Sequence, residues 1–120
     1  MRNIIVLALT LAAGLAALAS PAGAASFDCG KAAAPDEIAI CANPDLSALD
    51  SEMGGLWFAY SQIPFLMGMA GNRQDEARAF LEARAACGAD VACLRNAYHQ
   101  RIATLRQQIT AGMQQYCNNG

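Results

Sequence analysis

Apolar residues recur three or four apart in three separate stretches of this chain, the period of a helix with one buried face. Asn43 and Pro44 read as an N-cap followed by proline at the first helical position. From there Leu46, Leu49, Met53, Leu56, Tyr60 and Ile63 hold the spacing up to Pro64, where the helix must stop. Gly54 and Gly55 interrupt its middle, lowering its stability while offering a place where another helix can approach closely. A second helix is predicted from Asn72 as N-cap, with Asp75 and Glu76 at its positive end and Ala77, Phe80, Leu81 and Arg84 leading to Cys87. Gly88 is its expected stop. A third begins after Asp90 and carries Val91, Leu94, Tyr98, Ile102, Leu105, Ile109, Met113 and Tyr116 on one stripe, about 26 residues or roughly 39 Å. A shorter helical turn follows Pro35, where Asp36 and Glu37 precede Ile38, Ile40 and Cys41. The segment PFLMGMAGN, residues 64–72, reads as an apolar loop or broken turn.

Residue usage agrees with the periodicity. Beyond residue 24 the chain has one valine, Val91, and two threonines, Thr104 and Thr110, against many alanines, leucines, glutamines and arginines, a helix-favouring bias. The expected fold is all-α: a small antiparallel helical hairpin or bundle of three to four helices.

The first 24 residues follow a different grammar. MRN, an apolar run from Ile4 to Ala19, and SPAGA form the three parts of a secretory signal peptide, with Ala22 and Ala24 suiting cleavage after Ala24. The run is shorter than the roughly 20 residues of a bilayer span, and Pro21 breaks it. Residues 1–24 are therefore expected to be the signal peptide and 25–120 the helical domain, periplasmic or secreted, with no stable membrane insertion. The 55% hydrophobic content of the 120-residue chain is inflated by this leader. Without Arg2, seven basic residues face ten acidic ones, a net charge of about −3 that lacks the basic footprint of a nucleic-acid binder.

Export gives the five cysteines their meaning, because an oxidising compartment lets them pair. Cys29 with Cys41 and Cys87 with Cys93 each enclose a short loop with turn residues. These pairings would fasten an N-terminal strap and pin a corner between antiparallel helices. A zinc site is the competing reading, but no C-x-x-C knuckle is present and His99 is the only histidine. Cys117 remains as a free or intermolecular thiol.

The chemical inventory is poor. His99 follows Tyr98 of the apolar stripe and reads as structural, and no nucleophile elbow, zinc-protease, phosphate-loop or haem-attachment motif occurs. Asp36 with Glu37, or Asp50 with Glu52, are carboxylate pairs of the type that hydrolyse sugars, although neighbouring acids on a helix ordinarily cap it or face water. No enzyme, cofactor or metal site is expected. Asp50 adjoins Leu49 on the buried stripe. It either forms a bidentate ion pair with an arginine of the last helix, such as Arg101, or is an ordinary exposed acid.

The order SFDC (Ser26 to Cys29), EIAIC (Glu37 to Cys41), LSALD (Leu46 to Asp50), Tyr60 and CGADVACLRNAYHQRIATL (Cys87 to Leu105) resembles the LprI-like lysozyme-inhibitor family, small exported bacterial proteins. The resemblance covers nearly all of the chain after residue 24. It implies a helical fold, two local disulfides among Cys29, Cys41, Cys87 and Cys93, and binding and inhibition of lysozyme. The chain departs from the family in its apolar stretch after Pro64, in Phe80 where tryptophan is common, and in the additional Cys117. No inhibitory residue is carried over.

Two functional expectations follow. The first is an exported binding protein that blocks a muramidase, its acidic charge suiting basic lysozymes. Phe65, Leu66, Met67 and Met69 would then form either an inserting loop or a loop folded back on the core. The second is a cell-envelope interaction module without inhibitory activity, a homodimer joined through Cys117. A saposin-like lipid binder also joins helices by disulfides, but the number and spacing of the cysteines do not fit it.

Overall fold

The computed structural model describes residues 25–64 and 69–118, apart from the side chains of residues 69 and 70. The expected leader, and Phe65, Leu66 and Met67 of the apolar stretch, lie outside the described residues. Among the described residues four helices form the fold: α1 Pro35–Ala42, α2 Pro44–Gln62, α3 Met69–Ala86 and α4 Val91–Asn118, preceded by one 3-10 turn at Cys29–Lys31. Among the described residues no helix is long and apolar enough to cross a membrane.

Local chemistry explains most helix ends. Glu37 reaches back from the first turn of α1 to accept from the Ala33 and Ala34 N–H groups at 3.0 and 3.2 Å, half of a capping box, since Ala34 has no acceptor to complete it. Those N–H groups hold its carboxyl below the ordinary value. Asn43 stands between α1 and α2, but its side chain does not cap α2. Instead its Nδ2 donates to the Ala39 carbonyl at 2.7 Å, and Ser47 Oγ donates to the Ile40 carbonyl at 2.7 Å, so side chains satisfy the end of α1. Pro44 then opens α2 with its ring already at the required φ.

α3 begins at Met69, three residues before the expected cap, so Asn72 lies inside the helix and Asp75 and Glu76 fall beyond its first turn. Methionine and alanine are good helix formers, and glycine near an end costs little. At the other end Gly88 adopts φ +56°, the left-handed conformation that turns the chain after α3. Asp90 Oδ1 accepts from the Cys93 N–H at 3.1 Å and caps α4 as expected. Disulfides Cys29–Cys41 and Cys87–Cys93 fasten the strap to α1 and close the α3–α4 corner.

Contacts along the helices set their directions. Asp45 with Arg95, Asp50 with Tyr98 and Glu52 with Arg106 ascend together, so α2 and α4 run parallel. Glu76 with Gln108, Phe80 with Tyr98 and Cys87 with Cys93 descend on α4 as they ascend on α3, the antiparallel hairpin the sequence predicts. Ile40, Leu46, Phe80, Leu94, Tyr98 and Ile102 make the main core. Tyr60, Ile63 and Leu105 extend it toward the far end of α2. α4 outlasts this core: Met113 and Tyr116, expected on its buried stripe, are 50% and 61% exposed.

Candidate functional site: a groove over a buried polar network

The strap of residues 25–34 lies across α2, and its seat is cut by Gly54. A Cβ at Gly54 would stand 2.9 Å from the Ser26 Cβ, so only glycine admits the strap there. The close approach expected at the glycine pair is thus made by the strap and not by another helix, and Gly55 has open space around it. Ser26 ends on Asp50: its backbone N–H and its Oγ both donate to Asp50 Oδ2 at 2.6 Å. The other oxygen, Oδ1, accepts from Tyr98 Oη at 2.7 Å. Asp50 is fully buried, so these three donors replace water around its carboxyl group.

Arg84 joins this network from α3. Its Nε bonds Asp36 Oδ2 at 2.7 Å, its Nη1 lies 3.9 Å from Asp50 Oδ1, and its guanidinium carbon sits 5.6 Å from the centre of the Phe27 ring. One arginine therefore ties the strap, α1 and α2 to α3. Burial works against its charge, yet the neighbouring Tyr98 and Asp36 outweigh it and hold the Arg84 pKa above its ordinary value. Burial, then the hydrogen bond to Asp50, pushes the Tyr98 phenol well above its own.

The expected pair of Asp50 with Arg101 does not form. The face of α2 that carries Asp50 meets Tyr98, one helical turn before Arg101 on α4, and Arg84 takes the cationic place nearby. Arg101 points instead to Glu76, with Nη1 3.5 Å from Oε2, and its guanidinium carbon lies 5.9 Å from the Trp57 ring centre. The paired carboxylates also part: Asp36 belongs to Arg84, Glu37 to the α1 cap and Glu52 to Arg106. His99 is exposed and Cys117 is an exposed free thiol. Met69 opens α3, but its side chain and the rest of the proposed inserting loop lie outside the described residues. Among the described residues no group of three or more His, Cys, Asp or Glu is placed to hold a metal ion.

Above the network, the strap, α1, α2 and α3 line an open groove of about 420 Å³. Phe27, Met53 and Leu81 supply apolar walls, Asp28 and Glu37 acidic groups, and Lys31 a basic one. Arg84 and Asp50 also line it, already engaged with protein partners. Such a groove suits recognition of a side chain with an apolar stem and a positive head. Ser26 and Arg84 were not singled out from sequence as members of a site, although a charge on the apolar stripe of α3, at the spacing that joins Phe80 to Cys87, was a visible signal.

No family model, curated protein or solved structure matches this chain.

Proposed function

We propose that this chain is an exported binding protein that inhibits a muramidase by occupying its substrate cleft. The observation that carries the reading is the disposition of charge. Each of the six described arginines has an intramolecular polar contact: Arg73 with the Tyr60 and Ile63 carbonyls, and the other five with carboxylates. The excess acidity is left to groups such as Asp28 and Glu37, which line an apolar groove and engage only backbone N–H groups among their hydrogen bonds. A basic target meets a negative, pre-shaped surface, and charge matching of this kind chiefly speeds association. The resemblance to the LprI-like family supports the choice of target class.

A cell-wall clearing assay with the oxidised chain from residue 25 onward tests this reading. Clearing by a basic lysozyme should slow at molar excess. Leu81→Arg, placed where the groove wall is half exposed, should weaken the effect. Undiminished clearing rejects inhibition of the lysozyme used.

A second reading, an envelope module that dimerises through Cys117, draws on the exposed free thiol near the exposed Met113 and Tyr116. A non-reducing gel separates the two: a monomer band unchanged by reductant excludes the covalent dimer.

A further inference from the structure

Arg101 is only 8% exposed, and its Nε and Nη2 are buried with no hydrogen-bond partner among the described residues. Those two nitrogens form one edge of the guanidinium, with parallel N–H groups at the spacing of a carboxylate's oxygens. A buried charged donor left unpaired is costly, so an unfilled edge of this kind stands out in a core whose other charges are matched. Glu76 does not fill it. Its carboxylate lies 3.5 Å from Nη1, on the other side of the guanidinium, and is held by Gln108 Nε2 at 2.8 Å.

The surroundings supply the rest of a binding site. Arg101 lines a small cavity of about 120 Å³ whose other walls are Met53, Trp57, Ala77, Phe80 and Leu81. The walls are apolar and Arg101 is the one charged group among them. A cavity of roughly 150 Å³ with apolar walls takes up benzene, so this one suits a short alkyl chain or a small ring. Leu81 stands among these walls, 48% exposed.

We propose that this cavity binds a small amphipathic carboxylate, its apolar body among Met53, Trp57 and Phe80 and its charge paired with the Arg101 guanidinium. The site shares its Met53 and Leu81 walls with the strap groove but is built on a different charged group, Arg101, and does not depend on the inhibitory reading. It gives the single tryptophan of the chain, Trp57, a ligand to report on.

The test titrates the oxidised protein with hexanoate and, separately, with hexanol at constant ionic strength, following Trp57 emission and the Arg101 Nε–H cross-peak. Hexanoate should give a saturable change in both, with hexanol at least about tenfold weaker. Arg101→Gln should abolish the preference for the acid. Glu76→Gln, which removes the competing negative charge, should tighten hexanoate binding severalfold. Should Arg101→Gln lose its helical circular dichroism, Ala77→Leu decides instead, because it fills the cavity while leaving every charge in place; it should erase the hexanoate response. Absence of a saturable hexanoate response, equal binding of acid and alcohol, or an unchanged response in whichever variant is folded overturns the proposal.

Discussion

The Tyr98 hydroxyl donates to Asp50 Oδ1 at 2.7 Å, joining α4 to α2 through a bond between two fully buried side chains 48 positions apart. Asp50 receives the strap on its other oxygen, so one carboxylate fixes the register of two parallel helices and the seat of the N-terminal segment.

Asp50→Asn should therefore be severely destabilising, because the amide exchanges one of the two acceptor oxygens for an NH2 group, which must face either Ser26 or Tyr98, both of which already donate. Breaking a buried charged network typically costs about 3 to 5 kcal/mol, and each kcal/mol is worth roughly 4 to 8 °C in a domain of this size. A fall in Tm of at least about 10 °C is expected. Tyr98→Phe removes one donor and keeps the ring packed on Phe80, so a smaller loss of about 1 to 3 kcal/mol is expected. Urea denaturation of both variants and the double mutant measures the coupling. Losses that simply add would show that the two side chains do not act together.

Alkaline stability follows from the same tyrosine. Tyr98 and Tyr60 both have pKa values raised in the fold, chiefly by burial. For a raised pKa the stabilising contribution is complete below the unfolded value, near 10, and is lost as pH climbs from there through the folded value. Tm should be insensitive to these groups below about pH 9 and should drop steeply above pH 10. Tyr98→Phe should be less stable at neutral pH yet show a shallower alkaline decline. A wild-type decline no steeper than that of Tyr98→Phe would contradict the burial of a neutral phenol.

The two adjacent glycines should respond in opposite directions. Gly55→Ala adds a methyl group to open space and removes the cost of glycine inside a helix, a gain of about 0.5 to 1 kcal/mol. Gly54→Ala drives its Cβ to 2.9 Å from the Ser26 Cβ, so the strap must lift and its bonds to Asp50 stretch. A net loss of about 1 to 2 kcal/mol is expected, read by chemical denaturation. Equal effects would mean that the strap is not seated on α2.

Removing either disulfide should cost about 2 to 3 kcal/mol through loop closure in the unfolded chain, with different local signatures. The Cys29→Ser, Cys41→Ser pair should free the strap, seen as rapid tryptic cleavage after Lys31 in an otherwise folded protein. The Cys87→Ser, Cys93→Ser pair should leave that bond protected and loosen the α3–α4 corner, seen as faster amide exchange between residues 86 and 93.

Much of the architecture was legible in the residue order because its causes are local. Pro44 before a three-four apolar rhythm, Gly88 with its positive φ, Asp90 beside the Cys93 N–H, and cysteines 12 and 6 positions apart all act within a turn or a short loop. Burial followed the predicted stripe as far as Leu105, and failed at Met113 and Tyr116 because α4 outlasts the core formed with α2. Periodicity reports which face of a helix is apolar, but not where its neighbour ends.

The polar interior was decided only by the tertiary structure. Asp50 was identifiable as an acid beside a buried stripe, yet nothing local separates Arg101 from Arg84 as its neighbour. That choice depends on α2 and α4 running parallel, on Tyr98 arriving one turn before Arg101, and on α3 bringing Arg84 under Phe27. A buried carboxylate takes whichever donors the packed helices place within reach, and hydrogen bonds fall off steeply over distances smaller than one helical turn. Sequence spacing resolves the face of a helix; only the assembled core sets the few ångströms that give each charge its partner.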